Sequence, residues 1–117
     1  MNPLLIESCS FGSIVIDGKT YTDDLIILPD GKILRPWWRR RGHQLSMNDL
    51  TALIDSSPEV IVAGTGISGR VKPDETLKQD LSRLAIDLIA KPNEEAIKLL
   101  KGLKPETRVG ACFHLTC

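Results

Sequence analysis

Aromatic side chains are scarce in this sequence: two Trp, two Phe and one Tyr among 117 residues. A surface that stacks successive bases needs more of them, so single-stranded nucleic acid is not an expected partner. Net charge is lacking too. Fifteen basic residues are balanced by fifteen acidic ones, which removes any global pull toward polyanions or an anionic membrane surface. No apolar run approaches the roughly 20 residues needed to span a bilayer. The segment Met1-Asn2-Pro3-Leu4-Leu5-Ile6-Glu7 has neither the basic flank nor the apolar stretch of a secretory signal. Cysteine is limited to Cys9, Cys112 and Cys117, too few and odd in number for a disulfide framework. The expectation is a cytoplasmic protein with buried thiols, no membrane segment and no nucleic-acid partner.

What is present is one domain's worth of chain, 1–117, with 42% apolar residues to fill its core. The first third reads as an antiparallel strand meander. Ser13–Asp17 ends at the hairpin signal Asp17-Gly18. Tyr21–Leu28 follows, interrupted by Asp23 and Asp24. Pro29-Asp30-Gly31 makes a second turn into Lys32–Arg35. Ser46 and Asp49 then form a short capping box before a helix with Leu50, Leu53 and Ile54 on its apolar face. From Glu59 onward strand and helix alternate. Strands are expected at Val60–Ala63, Ala85–Ala90 and Thr107–Leu115. Helices are expected at Pro73–Arg83, with Pro73 in its first turn, and from the cap Asn93 through Lys101 to Gly102. Such alternation implies parallel strands with right-handed crossovers. The fold class is therefore α/β: a three-layer domain in which an antiparallel N-terminal meander precedes β-α-β-α-β parallel units.

Three features carry candidate chemistry. Val60-Ile61-Val62-Ala63 runs directly into Gly64-Thr65-Gly66, as a buried parallel strand does when it ends at a cleft. Gly64-x-Gly66-x-x-Gly69 matches the dinucleotide fingerprint in letters, and Asp87 lies near the spacing of a ribose-binding acid. The context differs, because Arg70-Val71-Lys72-Pro73 delays the helix whose N-terminus would meet a pyrophosphate. A smaller ligand or anion could use the Gly66 amides with Thr65, Arg70, Lys72 and His114. Second, Arg35-Pro36-Trp37-Trp38-Arg39-Arg40-Arg41-Gly42-His43 concentrates four arginines beside two tryptophans on a neutral chain. Arginine forks suit carboxylates and phosphates, and Trp beside Arg marks many protein interfaces. Third, Cys112-x-His114-x-x-Cys117, with His43 elsewhere, offers thiol and imidazole but lacks the paired spacing of a zinc site. Alternation places Cys112 and His114 on one strand face, yet no orienting third group or oxyanion site accompanies them. No metal is therefore assigned.

The ending Arg108-Val109-Gly110-Ala111-Cys112-Phe113-His114-Leu115-Thr116-Cys117, with Gly64-Thr65-Gly66, Phe11-Gly12 and Gly18-x-x-Tyr21, resembles a domain-of-unknown-function family. That family, of Mth938-like fold, includes the animal adipogenesis-associated protein, archaeal and bacterial stand-alone proteins and the mitochondrial complex I assembly factor. The resemblance runs over essentially the whole chain. It implies a compact three-layer α/β fold, with no established enzymatic activity and no established cofactor. Two departures stand out: Pro92-Asn93 replaces a common Thr before the third helix, and Leu99-Leu100 lies where relatives have a Tyr-Asn pair. The leading expectation is a non-enzymatic interaction or assembly module, a monomer or small homo-oligomer. Its expected protein partner, of unspecified identity, would be held through Trp37, Trp38, Arg39, Arg40 and His43. The alternative is a small-molecule or anion-binding protein or enzyme, with its site at Gly64, Thr65, Gly66, Arg70 and His114.

Overall fold

The structure, a computed structural model, describes residues 6–117. Ten strands are placed along the described residues. They are β1 (Ile6–Ser10), β2 (Ser13–Ile16), β3 (Lys19–Tyr21), β4 (Leu25–Ile27), β5 (Ile33–Leu34), β6 (Gln44–Leu45), β7 (Val60–Gly64), β8 (Lys72–Pro73), β9 (Asp87–Lys91) and β10 (Val109–Phe113). A 3-10 turn at Met47–Leu50 leads into α1 (Thr51–Asp55). The other helices are α2 (Leu77–Ser82) and α3 (Asn93–Gly102).

The main sheet has the order β5-β4-β10-β7-β9. Strands β10, β7 and β9 run parallel, while β4 pairs antiparallel with both β10 and β5. The meander splits: β1-β2-β3 form a separate antiparallel sheet, and β4-β5 join the main one. Asp17 and Gly18 both take positive φ, as a two-residue hairpin turn between β2 and β3 requires.

Side chains alternate between two cores because successive strand residues point to opposite faces. Ile26, Ile61, Ala63, Leu88 and Cys112 face one layer, with Leu53 of α1 and Leu77 and Leu81 of α2. Leu25, Ile27, Val62, Ala111 and Phe113 face the other, with Ala96 and Ile97 of α3 and Ile6, Ile14 and Ile16 of the small sheet. Helices thus cover one face of the central sheet, and a helix plus a small sheet covers the other. The three-layer α/β architecture expected from the alternation is the one observed.

Several boundaries differ from the sequence reading: the expected strand Tyr21–Leu28 is β4 at Leu25–Ile27, with Tyr21 ending β3, and the last strand is trimmed to Val109–Phe113. Helix α2 begins after Thr76, not at Pro73. Lys72 and Pro73 instead pair with Gln44 and Leu45 as a parallel ribbon, β6-β8. Proline is tolerated there because a two-stranded ribbon asks little of its missing N–H. Strand β9 starts at Asp87 because Ala85 turns through φ 61°. Among the described residues, no helix is long and apolar enough to cross a membrane.

Candidate functional site

The C-terminal ends of β7, β10 and β9 meet at one edge of the sheet, where open α/β sheets place their ligands. Here the edge is organised by one buried side chain, Asn93. It does not cap α3 as expected: Pro92 holds the cap position and Asn93 is the first helical residue. Its amide turns inward. Oδ1 accepts the Gly66 amide at 3.1 Å, while Nδ2 donates to the His114 carbonyl at 2.7 Å and contacts Cys9 Sγ at 3.5 Å. Gly64 passes so close to Phe113 and Asn93 that a β-carbon would collide with both.

The glycine loop is occupied by the chain itself. Ile67 N–H donates to the Thr116 carbonyl at 2.7 Å, and Ser68 and Arg70 donate to the Cys117 carbonyl at 3.2 and 3.1 Å. Thr65 donates to Lys91, Gly69 to Gly66 and Val71 to Thr65. Every amide from Thr65 to Val71 thus has an internal acceptor. Gly66, at φ 109°, lies against the Cys117 backbone, and a side chain there would collide with it. The anion cradle expected from Gly66 amides is therefore closed in this geometry, because residues 116–117 fill it. The glycines lead into β8 rather than a helix, and the dinucleotide resemblance ends there.

Beside this tail lies a polar cluster. Asp24, between β3 and β4, projects one carboxylate oxygen to the Leu115 amide at 2.8 Å. The other accepts from His114 Nδ1 at 2.7 Å and Arg39 at 3.0 Å. Burial raises the Asp24 pKa, but the bonds from His114, Leu115 and Arg39 outweigh it and hold the carboxyl below its ordinary value. His114 Nε2 meets Thr116 Oγ1 at 3.1 Å. The Arg39 guanidinium also approaches His114 Nδ1, at 2.9 Å, and stacks over the Trp37 ring with its carbon 4.8 Å from the centroid.

The basic loop therefore divides in two. Trp37 and Arg39, expected on a partner surface, are internal. Trp37 is 7% exposed, and its indole N–H donates to the Asp49 carbonyl at 2.9 Å. The Arg39 charge is neutralised by Asp24 in an ion pair whose Arg side chain is 6% exposed. Trp38, in contrast, is 81% exposed. Arg40 is exposed, with its amide fixed to the Asp49 carboxylate at 3.0 Å. His43 is exposed and stands edge-on to His114, ring centroids 5.9 Å apart. With Arg41, Gln44 and Lys72 it lines a shallow groove of about 410 Å³. Thr65 is buried; Arg70 is exposed at the rim of the tail.

The thiols are not paired with the imidazole. Cys112 is buried in the helix-covered core, and burial pushes its pKa up to about 12, with only partial relief from Arg39. Both His114 nitrogens are engaged elsewhere. Among the described residues, no group of three His, Cys, Asp or Glu side chains is placed to hold a metal ion. Sequence reasoning misses the roles of Asp24, Asn93 and Thr116. Asp24 has one signal, a charged break in an apolar strand.

Residues 6–114 match the family described as "Protein of unknown function (DUF498/DUF598)". The chain belongs to this family. Among solved structures, the DUF498/DUF598 chain is similar to the conserved hypothetical protein PH1505 of Pyrococcus horikoshii OT3. Identity is 32%, covering 97% of this chain and 99% of the other, with a TM-score of 0.80. It is also similar to MT938, at 25% identity over 98% and 100% of the two chains, with a TM-score of 0.78. A Bordetella pertussis protein described as a Mth938-like domain shares the fold at 14% identity over 98% and 90%, with a TM-score of 0.59. The Mth938-like fold expected from the C-terminal motif is thereby shown.

Proposed function

We propose that this chain is a non-enzymatic interaction or assembly module of the cytoplasm that holds a protein partner through Trp38. The observation that carries the reading is an 81% exposed indole set on a backbone held on both sides. Trp37 N–H donates to the Asp24 carbonyl at 2.8 Å, and Arg40 N–H donates to Asp49. Ordering a side chain or loop on binding costs affinity, and a backbone already fixed avoids part of that cost. Tryptophan seated in a partner pocket is a common binding hot spot.

Arg39 is engaged internally, so the charge offered outward comes from Arg40 and Arg41, both exposed. The partner face suited to it has an apolar pocket with carboxylates at its rim. Trp38→Ala is expected to weaken capture of that partner about 30-fold, a hot-spot loss of about 2 kcal/mol, with the circular dichroism spectrum unchanged. Lys98→Ala, on the exposed side of α3, serves as the control. Equal affinity of the Trp38→Ala and Lys98→Ala chains for the same partner would remove the reading.

A further inference from the structure

Asp24, His114 and Thr116 stand in a line. The carboxylate meets Nδ1 at 2.7 Å, and Nε2 meets the threonine hydroxyl at 3.1 Å. The tautomer follows from the partners. Nδ1 has two neighbours, the Asp24 carboxylate at 2.7 Å and an Arg39 nitrogen at 2.9 Å. Arg39 has its own acceptor in Asp24 and the carboxylate contact is the shorter, so we assign the proton to Nδ1, donating to Asp24. In the neutral ring, Nε2 then has a free lone pair, and the Thr116 hydroxyl must donate to it. This is the order of an orienting acid, a base and a hydroxyl nucleophile.

The surroundings hold the base in place. His114 is buried, its carbonyl is bound by Asn93 and its amide donates to the Gly64 carbonyl at 3.0 Å. The Thr116 carbonyl is held by Ile67 N–H. Thr116 itself is only partly buried, and His43, edge-on to the His114 ring, lines a shallow groove nearby. The hydroxyl thus belongs to a partly exposed residue, while the base is shielded.

We propose that Thr116 is a nucleophile that accepts an acyl group from activated esters and thioesters. The proposal is independent of the Trp38 reading. As Oγ1 attacks the acyl carbon, its proton passes to His114 Nε2. The tetrahedral adduct collapses, the bond to the leaving oxygen or sulfur breaks, and that atom departs with the electron pair. The proton on Nε2 then goes to the leaving group or to water, leaving an ester on Thr116. Nothing is oxidised or reduced. The reaction is one acyl transfer to the chain itself.

The test uses the full chain with p-nitrophenyl acetate as donor, p-nitrophenolate release as the rate and peptide mass mapping as the locator. One acetyl group is expected on Thr116, with one equivalent of p-nitrophenolate released. Thr116→Val should lose both, and Thr116→Ser should keep both. Asp24→Asn should slow acylation about 100-fold, the lower end of what a positioned base contributes. Since Asp24→Asn also threatens the fold, the Thr116 pair decides the matter. Brief treatment with neutral hydroxylamine distinguishes the threonine ester, which survives, from a thioester on Cys117 or Cys9. An acetyl group found on cysteine or lysine and undiminished in Thr116→Val, or no acetylation at all, overturns the assignment.

Discussion

Asp24 shows how much one side chain can join. It binds the loop through Arg39, the end of β10 through His114 and the chain beyond it through the Leu115 amide. Taking away one member of such an ion pair leaves the other charge in a poorly solvated place. Asp24→Ala is expected to cost about 3 kcal/mol in urea unfolding, far more than an exposed pair such as Arg83–Asp80, which the same method should barely register. The pH dependence has a defined sign. The folded carboxyl ionises below its ordinary value of 3.8, so the bonded carboxylate stabilises the fold above that value. The contribution is lost as pH falls through the lower folded pKa. Unfolding midpoints recorded from neutral pH down into that acid range should fall for the natural chain and fall less for Asp24→Ala.

At the scale of elements, the strands of the main sheet are readable from period and turn residues. β7 and β10 are short apolar runs bounded by Gly and charge, and the hairpin at Asp17-Gly18 has its turn written in two letters. Strand β1 has no comparable mark, and its alternation is weak. What cannot be read is direction. Asn93 obeys the rule that places Asn near a helix start, yet its side chain turns away from the helix toward Gly66 and His114. Trp37 and Trp38 are adjacent and chemically equal in the sequence, but the folded backbone sends one into the core and the other to solvent. Local preference alone assigns Pro73 to a helix, and a distant partner, Leu45, overrides it. The candidate site is therefore legible as a place, the ends of the parallel strands, and not as a set of contacts. Asn93→Ala separates the two roles of that residue. Loss of a cap would cost about 1 kcal/mol. Stranding the Gly66 amide and the His114 carbonyl should cost about 3 kcal/mol, as measured by chemical denaturation.

Over the whole molecule, residues 115–117 close contacts with segments far earlier in sequence. The Leu115 carbonyl accepts the Gly12 amide at 2.7 Å, and the Leu115 side chain is buried beside Phe113. Thr116 and Cys117 accept three amides of the glycine loop. A chain cut after His114 gives up all of these. Its unfolding midpoint should drop by the equivalent of about 3 kcal/mol, the usual cost of emptying a buried leucine site. Amide exchange at Ile67, Ser68 and Arg70 should quicken in it well before exchange at Ile61 or Val62; equal protection of the loop in both chains would contradict this. The order of the main sheet carries a further consequence for synthesis. Strand β10 sits between β4 and β7 but follows both in the chain. While the polypeptide is still being made on the ribosome, β4 and β7 each expose an edge with no neighbour, and apolar edges of that kind are aggregation-prone. The sheet can be completed only after residues 109–113 have emerged, so until then the nascent chain carries two open edges.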